Sequence, residues 1–358
     1  MEVFSVKGIH IDGVVSCVPE RKVDNETSLR ELYGDEAKLI MESTGIRTRY
    51  IANPGTTTSD LCLACARKLM EGTNTAPDDI GAVVFVTFTP DNLMPFNAAL
   101  VHEKLGLKKE IPSFDISLAC SGYAYGLYIA SMFAKTSGRK VLLLDGDVQS
   151  AYLSKYDKST VPVLADGGSA TLVSPDGSDN EWRFTFYTDG TGREALMIPA
   201  AGSLSPVQPE DLEYKEFPDG GKRRNTDIYM DGFAVFRFVA SDISKWLQRF
   251  MLEINESAET IESFLPHQAN MYMIRKLGKK LKFTWENTWQ SGDAVGNSGS
   301  ATVPVTIAYA AEKMLKGDVD NRVLISGFGA GLSASAGVIT LDPKAFYRFF
   351  QYEGNGVE

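Results

Sequence analysis

Cysteine is scarce in this chain: Cys17, Cys62, Cys65 and Cys120 are the only four among 358 residues. So few thiols in so long a chain make no disulfide framework, and the expectation is a reducing, cytoplasmic protein. Long apolar runs are missing too. None approaches the roughly 20 residues a membrane span needs. The start, Met1-Glu2-Val3-Phe4-Ser5-Val6, lacks the basic residues and long apolar core of a secretory signal. Positive charge is not in excess: the net charge is −10, which argues against nucleic acid as a partner. Phosphate-cradling signatures are absent. There is no G-x-G-x-x-G, and the glycine turn Leu164-Ala165-Asp166-Gly167-Gly168-Ser169-Ala170 has no Walker lysine. Cys62 and Cys65 have C-x-x-C spacing, but no second pair completes a zinc site. They fall on the apolar side of a helix with Leu61 and Leu69, and read as core. What remains is a soluble globular composition, 44% hydrophobic and 23% charged, long enough for one large domain or two fused ones.

The stretch Phe114-Asp115-Ile116-Ser117-Leu118-Ala119-Cys120-Ser121-Gly122-Tyr123-Ala124 organises the rest. An apolar run enters it, and a helical pattern leaves it from Tyr123 to Lys135, with Gly126, Ala130 and Ala134 allowing close packing. The pattern predicts strand, sharp turn and buried helix, with Cys120 at the helix start. Unpaired N–H groups and the helix dipole favour negative charge there, which would lower the thiol's pKa toward the nucleophilic thiolate. A buried structural cysteine is the competing reading.

Along the chain, Val3–Pro19 reads as two strands broken at Gly13, and Thr27–Ser43 as one helix ending near Gly45. Ala82–Phe88, Lys140–Leu144, Ile261–Leu265 and Val323–Ser326 read as buried strands, and Met230–Phe250 as a helix. Gly202–Asn225, rich in Pro, Gly and charge, reads as a long surface loop. The halves echo each other. Cys120-Ser121-Gly122-Tyr123-Ala124 opens a helix followed by the strand from Lys140, and Asn297-Ser298-Gly299-Ser300-Ala301 opens one followed by Arg322-Val323-Leu324-Ile325. That order predicts two fused α/β units with parallel-rich sheets, residues 1–176 and 177–358. Loops at strand carboxyl ends gather into one site. Cys120, His267, Asn297 and the Gly329–Gly331 turn all fall there. Together they suggest a thiolate nucleophile with imidazole and amide donors for developing negative charge.

With those motifs in hand, the chain resembles the thiolase superfamily, closest to β-ketoacyl-acyl-carrier-protein synthase III, over nearly its whole length. The resemblance is carried by Ser43-Thr44-Gly45-Ile46-Arg47, Ala119-Cys120-Ser121-Gly122, Leu164-Ala165-Asp166-Gly167-Gly168, His267-Gln268-Ala269-Asn270, Gly296-Asn297-Ser298-Gly299-Ser300-Ala301 and Gly327-Phe328-Gly329-Ala330-Gly331. It implies a five-layered αβαβα fold with duplicated halves. It also implies decarboxylating condensation of an acyl thioester with malonyl-acyl-carrier protein through an acyl-Cys120, in fatty acid or related acyl-chain synthesis. His267 and Asn297 would stabilise the enolate, and the N–H groups of Cys120 and Ala330 would form the oxyanion hole. Ala330 stands where the family usually has glycine. No metal or cofactor is implied, only an acyl-CoA or acyl-carrier thioester as substrate.

Gly232 and Phe236 match pocket positions, and Met94 falls where a residue from the partner of a homodimer closes the acyl pocket. Arg237, Lys279 and Lys280 match a carrier-protein docking patch, although its usual arginine is Tyr272 here. The positions that grip adenine of coenzyme A are Leu39 and Ser43, which makes a carrier-protein donor as plausible as coenzyme A. Two other functions fit the same residues: acyl transfer from Cys120 to an oxygen or nitrogen nucleophile, and a non-catalytic subunit of a ketosynthase heterodimer.

Overall fold

The computed structural model describes residues 1–218, 220–317 and 321–354. Its strands in the first half are β1 (Phe4–Lys7), β2 (Ile9–Pro19), β3 (Ile80–Val86), β4 (Ser113–Ile116), β5 (Lys140–Asp147) and β6 (Gly167–Pro175). The second half adds β7 (Glu181–Thr188), β8 (Ser263–Pro266), β9 (Asn321–Gly329), β10 (Ser333–Leu341) and β11 (Phe346–Tyr352). They form a six-stranded sheet, β11-β2-β6-β5-β3-β4, and a five-stranded sheet, β1-β7-β10-β9-β8.

The order β2-β6-β5-β3 is repeated as β7-β10-β9-β8, and so are the strand directions: β3 and β5 pair parallel, as β8 and β9 do, while the other pairs within each repeat are antiparallel. The internal echo in the sequence is therefore a repeated fold. The terminal strands cross over: β1 lies beside β7 in the second sheet, and β11 beside β2 in the first. The second sheet has a single parallel pair, which departs from the expected parallel-rich pattern. A turn of three residues joins β9 to β10, and strands so joined can only run antiparallel.

Strand alternation distributes side chains into layers. On β3, Val83 and Phe85 pack against α3 (Thr58–Gly72) and α4 (Asn97–Lys104), while Ala82, Val84 and Val86 face the opposite side. There they meet α5 (Gly122–Ser137) and Val303 and Ile307 of the helix Thr302–Met314. Val323 and Ile325 of β9 close that middle layer from the other sheet, and Leu324 and Phe328 face outward onto Leu247, Met273 and Leu277. Helix, sheet, helices, sheet, helices: this is the five-layered order, and both sheets are buried on both faces. Cys62 and Cys65 are fully buried under the first sheet, packed as core.

Two expected helices are interrupted. The first is split into α1 (Asn25–Tyr33) and α2 (Ala37–Thr44) by a 3₁₀ turn that starts at Gly34, whose φ of 57° no helix continues. The second comprises α6 (Gly232–Arg237), a π-helical turn (Phe238–Ile243) and α7 (Ser244–Glu253). The Gly202–Asn225 loop holds a 3₁₀ turn at Pro209–Leu212 and a short antiparallel pair, Lys215–Glu216 with Lys222–Arg223. Two later helices carry the site: α8 (Met271–Lys280) and α9 (Thr302–Met314).

Candidate active site

Cys120 lies between β4 and α5, one residue before the helix N-cap Ser121. The second sheet clamps this turn. Ser335 on β10 donates to the Ser121 carbonyl at 2.6 Å, and the Ser121 and Ser333 hydroxyls lie 2.7 Å apart. β9 passes directly over the sulfur. A Cβ on Gly329 would stand 2.8 Å from Cys120 Cβ and 3.2 Å from its Sγ, so only glycine leaves the nucleophile its place. Ala330, next in line, has no left-handed φ, and its backbone accommodates a Cβ without strain.

Cys120, His267 and Asn297 line one cavity of about 530 Å³, with Phe328, Gly329 and Ala330. His267 follows β8 and its backbone N–H is held by Ser326 O at 2.7 Å. The ring is buried, edge-on to Phe328 at 5.5 Å, with Nδ1 2.6 Å from the Thr302 hydroxyl. With Thr302 as the donor in that contact, Nε2 carries the ring proton into the cavity. Burial holds His267 down at about 3, so it is neutral at physiological pH.

Asn297 is not a helix cap. Its backbone bridges to the Val163–Ala165 segment: N donates to Val163 O at 3.0 Å and O accepts from Ala165 N at 2.8 Å. Its side-chain Oδ1 accepts from Gly299 N at 3.1 Å. An oxygen so engaged orients the amide, which leaves Nδ2 as a donor on the cavity side. Two N–H donors thus face the space beside a thiol, a set able to hold an oxyanion or an enolate.

The thiol itself departs from expectation. Burial, with the Asp147 carboxylate adding to it, pushes Cys120 up to about 12. The helix start favours thiolate, but loss of hydration around an enclosed sulfur outweighs it in the resting site. Asp147 is an organiser that sequence reasoning passed over, since it lies just past the strand read over Lys140–Leu144. It accepts from Thr87 Oγ1 at 2.9 Å, Phe88 N at 3.0 Å and Ser300 N at 2.7 Å, tying both halves together beneath the cavity. Gly299 at φ 64° is required there, since its Cβ would meet Asp147 Oδ2 at 2.4 Å. Thr302 was passed over for a different reason: its contact with His267 spans two motifs that sequence keeps 35 residues apart.

Of the remaining predicted positions, Gly232 lines the cavity. Phe236 lies outside that lining and stacks on Tyr272, ring centroids 6.1 Å apart. Met94 is 87% exposed beside Leu93 at 94%, away from this chain's own cavity. Arg237 and Lys279 are exposed, while Lys280 Nζ donates to Ala240 O on the π-helical turn. Leu39 is exposed, and Ser43 Oγ is turned back onto Ile40 O at 2.8 Å. The other histidines lie elsewhere: His102 is on Lys108 O at 2.8 Å, and His10 is paired with Asp12. Among the described residues no His, Cys, Asp and Glu group is arranged to hold a metal, and no helix is long and apolar enough to cross a membrane.

Known proteins are similar to this chain in sequence and fold. Residues 114–190 match the family described as 3-Oxoacyl-[acyl-carrier-protein (ACP)] synthase III, and residues 253–341 match its C-terminal part. A beta-ketoacyl-[acyl-carrier-protein] synthase III of Syntrophomonas wolfei is 32% identical over 330 residues, 91% of this chain and 95% of that protein. The crystal structure of a 3-oxoacyl-(acyl-carrier protein) synthase from Burkholderia xenovorans superposes with a TM-score of 0.89 at 26% identity, covering 98% of this chain and 99% of the other. That of the priming β-ketosynthase of the R1128 polyketide pathway gives 0.81 at 26% identity, covering 96% and 99%. Duplicated five-layered architecture, a cysteine before a buried helix, paired histidine and asparagine donors, and identity sustained from end to end lead to one assignment: this chain belongs to the β-ketoacyl-[acyl-carrier-protein] synthase III family.

Proposed function

We propose that this chain is an acyltransferase of the condensing type, joining an acyl thioester to a malonyl thioester carried by acyl-carrier protein, with loss of carbon dioxide. The single observation that carries the reading is the presence of Cys120, His267 and Asn297 in one cavity, with neutral N–H donors beside the sulfur. In the first step Cys120 Sγ attacks the starter carbonyl, an acyl–sulfur bond forms, and the departing thiol takes the Cys120 proton. The tetrahedral oxyanion rests on the N–H groups of Cys120 and Ala330. A thiol whose resting pKa is about 12 is deprotonated as the thioester arrives, not beforehand.

In the second step the malonyl carboxylate leaves as carbon dioxide and its bonding electrons pass into an enolate. Nε2–H of His267 and Nδ2–H of Asn297 hold the developing oxygen charge. The enolate carbon attacks the acyl carbonyl, the carbon–sulfur bond breaks, and the Cys120 thiolate takes a proton from water. Acyl transfer to oxygen or nitrogen needs no second donor at Asn297, which favours condensation. A heterodimer's non-catalytic subunit needs neither. The exposed Leu93 and Met94 support a homodimer in which this loop closes the partner's cavity. Arg237 and Lys279 present charge for the acidic carrier. Lys280 is exposed beside them, with Nζ donating to Ala240 O of the π-helical turn.

Intact-mass analysis with acyl thioesters, followed by carbon dioxide release from malonyl-carrier protein, tests the reading. Cys120→Ala should take no acyl group. His267→Ala and Asn297→Ala should be acylated yet lose about 10²-fold or more in decarboxylation. Acylation of the Cys120→Ala protein, or unchanged decarboxylation in the other two, overturns the assignment.

A further inference from the structure

The cavity that holds Cys120 has a largely apolar wall, including Phe88, Val163, Leu164, Leu196 and Ile228; outside the reacting set its polar side chains include Ser117, Gln149, Thr188, Asn270 and Ser333, of which Gln149 adjoins Asn297. Gln149 opens the 3₁₀ turn after β5 and is 2% exposed to solvent. Its Nε2 donates to Ala165 O at 2.7 Å and to Asn297 O at 2.5 Å. Both partners are carbonyl oxygens, which only accept, so chemistry fixes the amide orientation. Both amide hydrogens are used. Oε1 accepts no hydrogen bond from any described residue and is not among the sealed, unpartnered polar atoms, which leaves it facing the cavity.

A carbonyl oxygen with free lone pairs in an apolar pocket recognises a donor. The donor's charge is constrained as well. Among the described residues no Asp, Glu, Lys or Arg lines this cavity, so an ammonium would surrender its hydration with no counter-charge. A neutral hydroxyl meets the requirement. Its place along the chain is bounded by the same geometry: the amide that presents Oε1 is anchored on the backbone of Asn297, whose side chain faces the reacting carbon. The group recognised therefore lies close to the thioester end and not at the tip of a long chain.

We propose that the starter is a hydroxyacyl thioester whose hydroxyl, near the carbonyl, donates to Gln149 Oε1. This rests on the acyl-Cys120 reading above. An unsubstituted chain would bury Oε1 without a partner, so discrimination of about tenfold or more in acylation rate is expected.

The test is time-resolved intact-mass acylation of the full-length protein. It uses matched pairs, butyryl with 2- and 3-hydroxybutyryl and hexanoyl with 3-hydroxyhexanoyl, each enantiomer separately, as coenzyme A and as carrier-protein thioesters. The expected result is that one hydroxylated member of a pair acylates Cys120 at least about tenfold faster than its unsubstituted partner, and that Gln149→Met brings the ratio toward one. The wild-type ratio decides the matter even if the variant folds poorly. Equal or faster acylation by the unsubstituted thioesters overturns the proposal and leaves the acyl-Cys120 reading standing; Oε1 would then serve an amide N–H of the pantetheine arm, common to every substrate. Failure of all thioesters to label Cys120 overturns both.

Discussion

The neutrality of His267 can be tested by pH alone. Burial is the cause of its depressed pKa of about 3, against an ordinary 6.5. The ring has no carboxylate partner to restore a proton; its neighbours are the Thr302 hydroxyl and the Phe328 edge. At pH 5 an ordinary imidazole is only about 3% neutral, whereas a group titrating near 3 is about 99% neutral. Decarboxylation of malonyl-carrier protein should therefore be nearly flat from pH 8 to pH 5, where an ordinary histidine would lose about 30-fold. The malonyl carboxylate, in the usual range near 4, stays mostly ionised over this window. The assay is release of labelled carbon dioxide at saturating malonyl-carrier protein. A fall in rate with a midpoint near 6.5 would refute the argument that burial keeps the ring neutral. A companion variant separates charge from tautomer. Thr302→Val keeps the shape and removes the hydroxyl that donates to Nδ1, so the Nε2–H form is no longer enforced. Its decarboxylation should fall by about tenfold or more while the pH profile stays flat. A wild-type rate in this variant would show that Thr302 does not set the tautomer.

Gly329→Ala places a Cβ 2.8 Å from Cys120 Cβ on a strand held by the β9–β10 ladder. Cys120 acylation should drop by about tenfold or more, with a destabilisation of about 1–3 kcal/mol seen in urea unfolding; unaltered acylation would mean that the strand can yield. Asp145 is fully buried and neither carboxyl oxygen has a hydrogen-bond partner, and burial raises its pKa well above the usual value. The native state thus keeps a proton that the unfolded chain releases above about 4, and stability from this group is full at low pH and lost as pH rises toward the folded pKa. Asp145→Asn removes that loss, so the gain in melting temperature over wild type should grow from pH 5 to pH 9. A difference independent of pH would mean that Asp145 is ionised in the native protein.

Local chemistry made much of this molecule legible from the sequence. The β-branched run Ile80–Val86 announces a doubly buried strand, because no alternation is needed where both faces are covered. The paired helix openings at Cys120 and Asn297 announce the duplication, since a repeated fold keeps its turn residues. Cys62 and Cys65 read as core from their helical spacing, and they are core. The break at Gly34 was less visible, since a single glycine inside an otherwise helical pattern is tolerated as often as it terminates one. The exchange of terminal strands had no local signal at all: which sheet β1 and β11 join depends on where distant parts of the chain come to lie.

What the amino-acid order determined alone was the inventory: a cysteine before a helix, a histidine after a strand, an asparagine between glycine and serine, and a net charge of −10. What only the tertiary structure decided was the state of each group. The thiol is pushed up, not down, because enclosure removes more hydration than a helix start returns. The imidazole is a donor through Nε2 because Thr302 occupies Nδ1, and the Asn297 amide is a donor because Gly299 N occupies its oxygen. Gln149 turns an acceptor into the cavity because two carbonyls take its hydrogens. Protonation, tautomer and amide orientation are set by which neighbours remove water and which lone pairs are already filled, and most of those neighbours are brought close only by folding.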